Sequence, residues 1–171
     1  MPPAILETPR LQMRQMTTAD VAPLLKIFGD VEAMQFYPAI FDGHQMQKWV
    51  AWNQHQYASH GYGLWALVLR STTEVIGDCG LVNQPMEGVP EIEIGYHVRR
   101  DHWRQGIATE AALACRNYGF EHLGCCRLVS LIHPQNLASR RVAEKVGMSY
   151  CREIFWKHKP TCLYAVERTG A

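Results

Sequence analysis

The residues best equipped for chemistry run from Tyr96 to Ala111: Tyr-His-Val-Arg-Arg-Asp-His-Trp-Arg-Gln-Gly-Ile-Ala-Thr-Glu-Ala. A strand ends here, a basic turn follows, and a helix opens with Gly106 and Ala108 among its first positions. The free N–H groups of a helix start point at any anion placed there. Small residues let that anion come close to the backbone. Arg104 adds positive charge, as do the nearby Arg99 and Arg100. Phosphate or pyrophosphate suits this arrangement; a glycine-containing loop that caps a packed helix is the plainer use of the same residues. Two familiar phosphate loops are excluded, because neither G-x-x-x-x-G-K-[ST] nor a G-x-G-x-x-G following the first strand occurs.

A second segment, from Ser130 to Met148, carries the other polar groups. Asn136 is placed to cap a helix, or to offer its side-chain amide to an amide-bearing ligand beside the strand. Ser139 lies one turn further on the same face. Arg140, Arg141 and Lys145 bring cations to this helix, either for an anionic ligand or for an ordinary solvated face.

The elements that must hold these segments are read from periodicity. Residues 10–15 alternate as a half-exposed strand. Thr17 and Asp20 form a capping-box pattern, and Val21, Leu24, Leu25 and Phe28 follow at helical spacing. A second helix is expected over residues 45–59, with Met46, Trp49, Val50 and Tyr57 along one face. Gly61 and Gly63 mark the change to strands at 64–69, 75–82 and 91–98. A helix from Gly106 to about His122 ends at Gly124, and residues 127–132 form an apolar strand. A last helix runs from Asn136 to Gly147, a left-handed C-terminal position. Strands at 148–155 and 162–167 close the chain. This irregular mixture is α+β, or mixed α/β, and not a simple doubly wound sheet.

Composition sets the outer limits. The 171 residues, 47% hydrophobic and 19% charged, fit one globular domain over residues 1–171 with a real core. Residues 1–90 carry 5 Lys/Arg against 8 Asp/Glu, and residues 91–171 carry 12 against 8. The positive half is therefore the half holding both polar segments. No apolar run approaches the ~18 residues that span a bilayer, and the start Met-Pro-Pro-Ala lacks a secretory pattern. The six cysteines form no C-x-x-C pair, and adjacent Cys125 and Cys126 suit neither zinc spacing nor a disulfide framework. Reduced thiols, a cytoplasmic setting and no metal site are expected. No membrane partner is expected either, nor nucleic acid, since the basic residues cluster where a nucleotide cofactor would lie.

Together the two segments resemble the GNAT superfamily of N-acetyltransferases. More narrowly, they resemble the Rim-type enzymes that acetylate N-terminal amines of ribosomal proteins (RimJ/RimL-like). The resemblance spans nearly the whole chain: Glu7-Thr8-Pro9-Arg10-Leu11, Val75-Ile76-Gly77, Glu93-Ile94-Gly95-Tyr96, Arg104 to Ala111, Asn136-Leu137-Ala138-Ser139 and Glu144-Lys145-Val146-Gly147-Met148. The family's phosphate pattern, Arg/Gln-x-x-Gly-x-Gly/Ala, here reads Trp103-Arg104-Gln105-Gly106-Ile107-Ala108.

The resemblance implies a twisted, mostly antiparallel sheet of six to seven strands, splayed between strands 4 and 5 and flanked by helices. It implies acetyl-CoA as cosubstrate. The amides of Arg104, Gln105, Gly106, Ile107, Ala108 and Thr109 would take the pyrophosphate. The strand at Tyr96, His97 and Val98 would meet the pantetheine arm in a cleft opened by a bulge. Asn136 and Ser139 would lie beside that arm, and Arg141 and Lys145 near the nucleotide phosphates. A homodimer is a further possibility the family offers.

The reaction implied is direct attack of a neutral amine on the thioester carbonyl. An α-amine is roughly 10–15% neutral at pH 7 and a lysine less than about 0.1%, a difference of about 3.5 kcal/mol. A carboxylate acting through water therefore suffices for an N-terminal amine, with Glu93 and Glu91 as candidates. The tyrosine acid common in the superfamily is replaced by Ala143, leaving Ser139 as its substitute. Phe36, Tyr37, Trp49, Trp52, Tyr57 and His158 are candidates for the acceptor pocket. The acceptor is a protein N-terminus or a small molecule such as a polyamine, amino sugar or amino acid. A non-catalytic acyl-CoA sensor is the reading from another class.

Overall fold

The computed structural model describes residues 2–86 and 88–168. The first half of the chain runs β1 (Ala4–Glu7), β2 (Leu11–Arg14), α1 (Val21–Phe28), α2 (Gly43–His60), β3 (Leu64–Leu69), β4 (Val75–Met86) and β5 (Val89–Val98). The second half runs α3 (Ile107–Glu121), β6 (Arg127–Ile132), α4 (Leu137–Lys145), β7 (Ser149–Trp156) and β8 (Lys159–Glu167). The strands form an eight-stranded sheet in the order β1-β2-β3-β4-β5-β6-β8-β7. Every neighbouring pair is antiparallel except β5 and β6.

The expected seven strands are present, and β1 is an eighth. The four residues of β1 are too few to show a period. They form a strand because they pair with β2, from Ala4↔Arg14 to Glu7↔Gln12. Without β1, the parallel junction of β5 and β6 falls between the fourth and fifth strands, the place the resemblance gives for the splay.

Period-2 alternation sorts the core into two layers. In β3, Trp65 and Leu67 face one way and pack with Ile107, Ala111 and Cys115 of α3. Leu64, Ala66 and Val68 face the other way, toward Leu24, Ile27 and Phe28 of α1 and Met46 and Val50 of α2. Helices therefore cover both faces. Each large side chain removed from water in this way stabilises the fold by about 1.5–3 kcal/mol.

Helix entry is fixed by local chemistry. Thr17 and Asp20 make the expected capping box, opening onto a short 3-10 turn and then α1. The Asp20 carboxylate also takes a two-armed ion pair from buried Arg14, at 2.7 and 2.8 Å. Asp42 and Gln45 form a second capping box. It starts α2 at Gly43, two residues before the periodic pattern becomes legible.

The ladder between β4 and β5 sets the register of the residues that border the sheet's opening. It pairs Met86 with Val89 at the turn and runs without a register shift to Asp78↔His97 and Gly77↔Val98. Gly77 permits this close approach, since a Cβ there would lie 2.2 Å from the His97 carbonyl oxygen. Gly77→Ala is accordingly expected to lower stability by about 2–3 kcal/mol, the upper part of the overpacking range, as read from urea midpoints. Gly43→Ala, where nothing lies within 4 Å of the added carbon, should leave stability unchanged or raise it by up to about 1 kcal/mol.

Candidate functional site

The site begins where the sheet parts. β5 and β6 share a single parallel bridge, Glu93↔Val129. Beyond it, the edge of β5 facing β6 has no strand partner. The Arg99 amide donates to the Ile76 carbonyl of β4 at 2.8 Å. By strand alternation the backbone groups of Ile94, Tyr96 and Val98 then face the opening. The Ser130 hydroxyl donates to the Ile94 carbonyl (2.9 Å), and the Trp103 indole donates to the Val98 carbonyl (2.7 Å). The N–H and C=O of Tyr96 and the N–H of Val98 remain for a ligand. No bulge opens this cleft, because the β4–β5 ladder is regular; it is the divergence of β6 that opens it. The Tyr96 hydroxyl reaches across to donate to the Ser139 carbonyl at 2.8 Å, bracing α4 against β5.

The loop before α3 is built for an anion. Gly106 caps the helix in the left-handed conformation (φ 78°), with no side chain capping it. Arg104 is also left-handed, at φ 60°. Among the described residues, the amides of Arg104 through Thr109 donate no internal hydrogen bond, and Glu110 is the first to close a helical turn, onto Gly106. Six successive N–H groups thus lack a protein acceptor, a cradle shaped for phosphate oxygens.

Its underside is held by the N-terminal segment. The Glu110 carboxylate accepts from the Thr8 hydroxyl (2.6 Å), the Arg10 amide (3.0 Å) and the Arg10 guanidinium (2.6 Å). Arg10 also donates to the Gln105 carbonyl at 2.8 Å. Burial pushes the Glu110 carboxyl up, but the bonds from Thr8 and Arg10 outweigh it and hold its pKa below the ordinary value.

Two adjoining chambers flank β5. The smaller, about 530 Å³, is lined by the loop, by Tyr96, His97 and Val98, and by Arg141 and Lys145 of α4. Arg104, Arg141 and Lys145 have no carboxylate partner among the described residues. Arg99 and Arg100, expected to add charge here, are engaged elsewhere. Arg99 pairs with Glu74 (2.6 Å) and Asp101 (2.7 Å), and Arg100 pairs with Asp30 (3.4 Å) and Glu32. Arg140 turns away to donate to the Tyr164 hydroxyl at 2.9 Å.

The larger chamber, about 890 Å³, is lined by Phe36, Tyr37, Trp49 and Trp52, with Glu93, Ser130 and Lys157 among its polar groups. Two other acceptor-pocket candidates lie outside it. Tyr57 is buried, with its hydroxyl donating to the Leu64 carbonyl, and His158 sits in the β7–β8 turn. The chambers share six residues: Phe36, Tyr37, Tyr96, His97, Asn136 and Ser139.

The candidate acid–base groups separate on this map. Glu93 lines the larger chamber, where burial pushes its carboxyl up against a hydrogen bond from Gln84 (2.6 Å). Glu91 lies outside both chambers, with its carboxylate 3.2 Å from Arg127. Ser139 is at the junction. Asn136 uses its amide oxygen to cap α4, accepting from the Ser139 amide at 3.1 Å. Its NH2 group is left over as a donor.

One pairing is absent from the sequence reading. His97 stands opposite Asp78, with Nδ1 2.6 Å from a carboxylate oxygen of fully buried Asp78. The other oxygen accepts from the Trp49 indole at 3.2 Å. The signal available is Gly88 between two strands. Pairing Met86 with Val89 sets, counted back along the ladder, Asp78 against His97.

Residues 10–149 match the family described as acetyltransferase (GNAT) domain. The chain is 41% identical over 160 residues to the YkkB protein of Bacillus subtilis, covering 93% of each chain. A solved acetyltransferase from Agrobacterium tumefaciens superposes with a TM-score of 0.85 at 27% identity, over 97% of this chain and 95% of that one. RimL, an α-N-protein acetyltransferase of ribosomal L7/L12 solved with coenzyme A, superposes at 0.78 over 96% and 98% at 17% identity, a likeness of fold.

The loop's dependence on its underside can be measured. Glu110→Gln keeps the side chain's shape and loses its charge, and should raise the Kd for coenzyme A about tenfold, the equivalent of about 1.4 kcal/mol, by titration calorimetry at neutral pH. Because folding lowers this carboxyl's pKa, its stabilising contribution is present above the ordinary carboxylate range and lost as pH falls through the folded value. The Tm gap between wild type and variant should therefore exist at pH 7 and close below about pH 4.

Proposed function

The chain belongs to the GNAT acetyltransferase family, and from that premise we propose that it moves an acetyl group from acetyl-CoA to the N-terminal α-amine of a protein. The activity of the family is N-acetyl transfer, so a sensor without turnover is set aside. The observation that carries the reading is the row of six amides without an acceptor among the described residues, beside a chamber that shares six lining residues with a second, aromatic chamber. One lobe suits an anionic donor with a long arm; the other suits an amine.

The amides of residues 104–109 would take the pyrophosphate, with Arg104, Arg141 and Lys145 adding charge. Tyr96 and Val98 would pair with the amides of the pantetheine arm as an added strand does, and the Asn136 NH2 group would meet the same arm. Acetyl-CoA supplies an activated thioester. Polarising its carbonyl falls to the Val98 N–H, an unpaired donor in a sheltered cleft. Glu93 lines the larger chamber and would draw an ammonium group into it. Ser139 at the junction would return a proton to the leaving sulfur.

Two considerations support a protein N-terminus as acceptor. An α-amine asks about 3.5 kcal/mol less of a base than a lysine side chain. RimL acts on the α-amine of a ribosomal protein, and its fold is shared. A cytoplasmic setting accords with six free cysteines.

Thiol release from acetyl-CoA should be followed with peptides bearing free N-termini, alongside polyamines, amino sugars and amino acids. The proposal expects kcat/KM for the best peptide at least tenfold above any small amine; turnover of small amines alone would overturn it. Ser139→Ala should lower kcat about tenfold or more at saturating substrates, and unchanged turnover would remove Ser139 from the mechanism.

A further inference from the structure

Among the described residues, His97 is the histidine that lines both chambers, and it packs against both helices of one layer. Its ring lies 4.7 Å from Phe28 of α1 and 5.1 Å from Tyr37, centroid to centroid. The Trp49 ring of α2 meets it edge-on at 6.4 Å. With its side chain only 12% exposed, the ring is held on several sides and cannot swing freely. Asp78 fixes one end. An ionised carboxylate can only accept, so the Nδ1 atom 2.6 Å away carries the proton. In neutral imidazole that leaves Nε2 with a lone pair. Among the described residues, Nε2 makes no hydrogen bond. The carboxylate is oriented in turn by the Trp49 indole N–H.

We propose that His97 is the catalytic base for the acceptor amine, with Asp78 and Trp49 as positioning residues. This rests on the acetyl-transfer reading above and holds whichever amine is the substrate. Nε2 takes one proton from the attacking nitrogen as the nitrogen–carbon bond forms. The carbon–sulfur bond breaks, its electron pair leaves with sulfur, and the sulfur takes up a proton. An amine and a thioester become an amide and a thiol, with no redox partner. Aspartate oriented on Nδ1 keeps the useful tautomer and stabilises the imidazolium that forms.

Glu93 is the rival. It lines the larger chamber but is engaged by Gln84, and burial raises its pKa while making its charged form costly. The groups around His97 that bear on its titration are Asp78 of β4, Glu93 on its own strand and Tyr37 after α1. Lys48 of α2 and Lys157 and Lys159 of the β7–β8 hairpin line the same chamber. The α1 element contributes a phenyl ring and no charge.

The test uses the full chain with whichever amine turns over. His97→Gln should lower kcat/KM by about 10²–10³-fold, the range of general base catalysis. The Kd for coenzyme A should stay within about threefold. The wild-type pH profile of kcat/KM should fall off on its acid side as His97 protonates. That limb should vanish in His97→Gln and persist in Glu93→Gln, and Asp78→Asn should lower kcat with KM and the Kd for coenzyme A little changed. Added imidazole should restore part of the activity of His97→Ala. A His97→Gln enzyme with wild-type kcat/KM and an intact acid limb overturns the assignment, as does loss of the limb in Glu93→Gln alone.

Failure of the protein N-terminus reading shows differently, as turnover of small amines only, with the His97 arms unaffected. A further readout needs no turnover and no variant. Nitrogen-15 NMR of the wild type should show His97 in the Nδ1–H tautomer with Nε2 titrating, and an Nε2–H ring would overturn the proposal.

Discussion

A parallel pair of strands that meets at one bridge and then separates leaves backbone groups that nothing in the sheet can satisfy. Glu93↔Val129 is that bridge, and the rest of the molecule is organised around its consequence. Buried N–H and C=O groups rarely go unpaired, so the opened edge of β5 must be met by side chains or by a ligand. Ser130 and Trp103 meet part of it, at Ile94 and Val98. The pair from Tyr96 and the Val98 N–H stay open. Tyr96 itself spans the gap to Ser139, which holds α4 at a set distance and keeps the opening from closing on itself. The cleft is therefore a structural consequence of topology, and it exists before any ligand arrives.

The same constraint explains why the anion loop needs a long-range anchor. A loop with six unpaired amides gains nothing from its own backbone bonds, and a left-handed Arg104 adds strain to it. Thr8 and Arg10, about a hundred residues earlier, hold it through Glu110. Charge is partitioned to match. Arg99 and Arg100 are tied to carboxylates that brace the turn before the loop, while Arg104, Arg141 and Lys145 have no carboxylate partner among the described residues where an anion would sit.

What can be read from the sequence depends on the range of the interactions involved. Capping at Thr17 and Asp20, the left-handed turn at Gly147, and the helix behind the loop are local, and residue type alone announces them. The splay and the phosphate segment are legible through resemblance. β1 is not, because its strand character comes from β2 and not from its own four residues. The pairing of Arg99 and Arg100 with acids is equally hidden, since Glu74, Asp30 and Glu32 are distant in the chain. Glu91 looks equivalent to Glu93 in the sequence because residues two apart share a strand face. The structure separates them: Arg127 approaches one, and the chamber opens beside the other.

Asp78 is hidden for a different reason. A carboxylate inside an apolar strand reads as an isolated oddity until its cross-strand partner is known. Burying a charge without compensation costs several kcal/mol, so its persistence at 0% exposure demands partners, and His97 and Trp49 are those partners. A structural role alone would be met at lower energetic cost by a neutral side chain at this place. Three elements instead converge to hold one imidazole in the walls of both chambers. The parting of β5 from β6 makes room for a donor arm on one side of that ring, and the aromatic segment after α1 makes room for an amine on the other. The ring belongs to the strand that separates them.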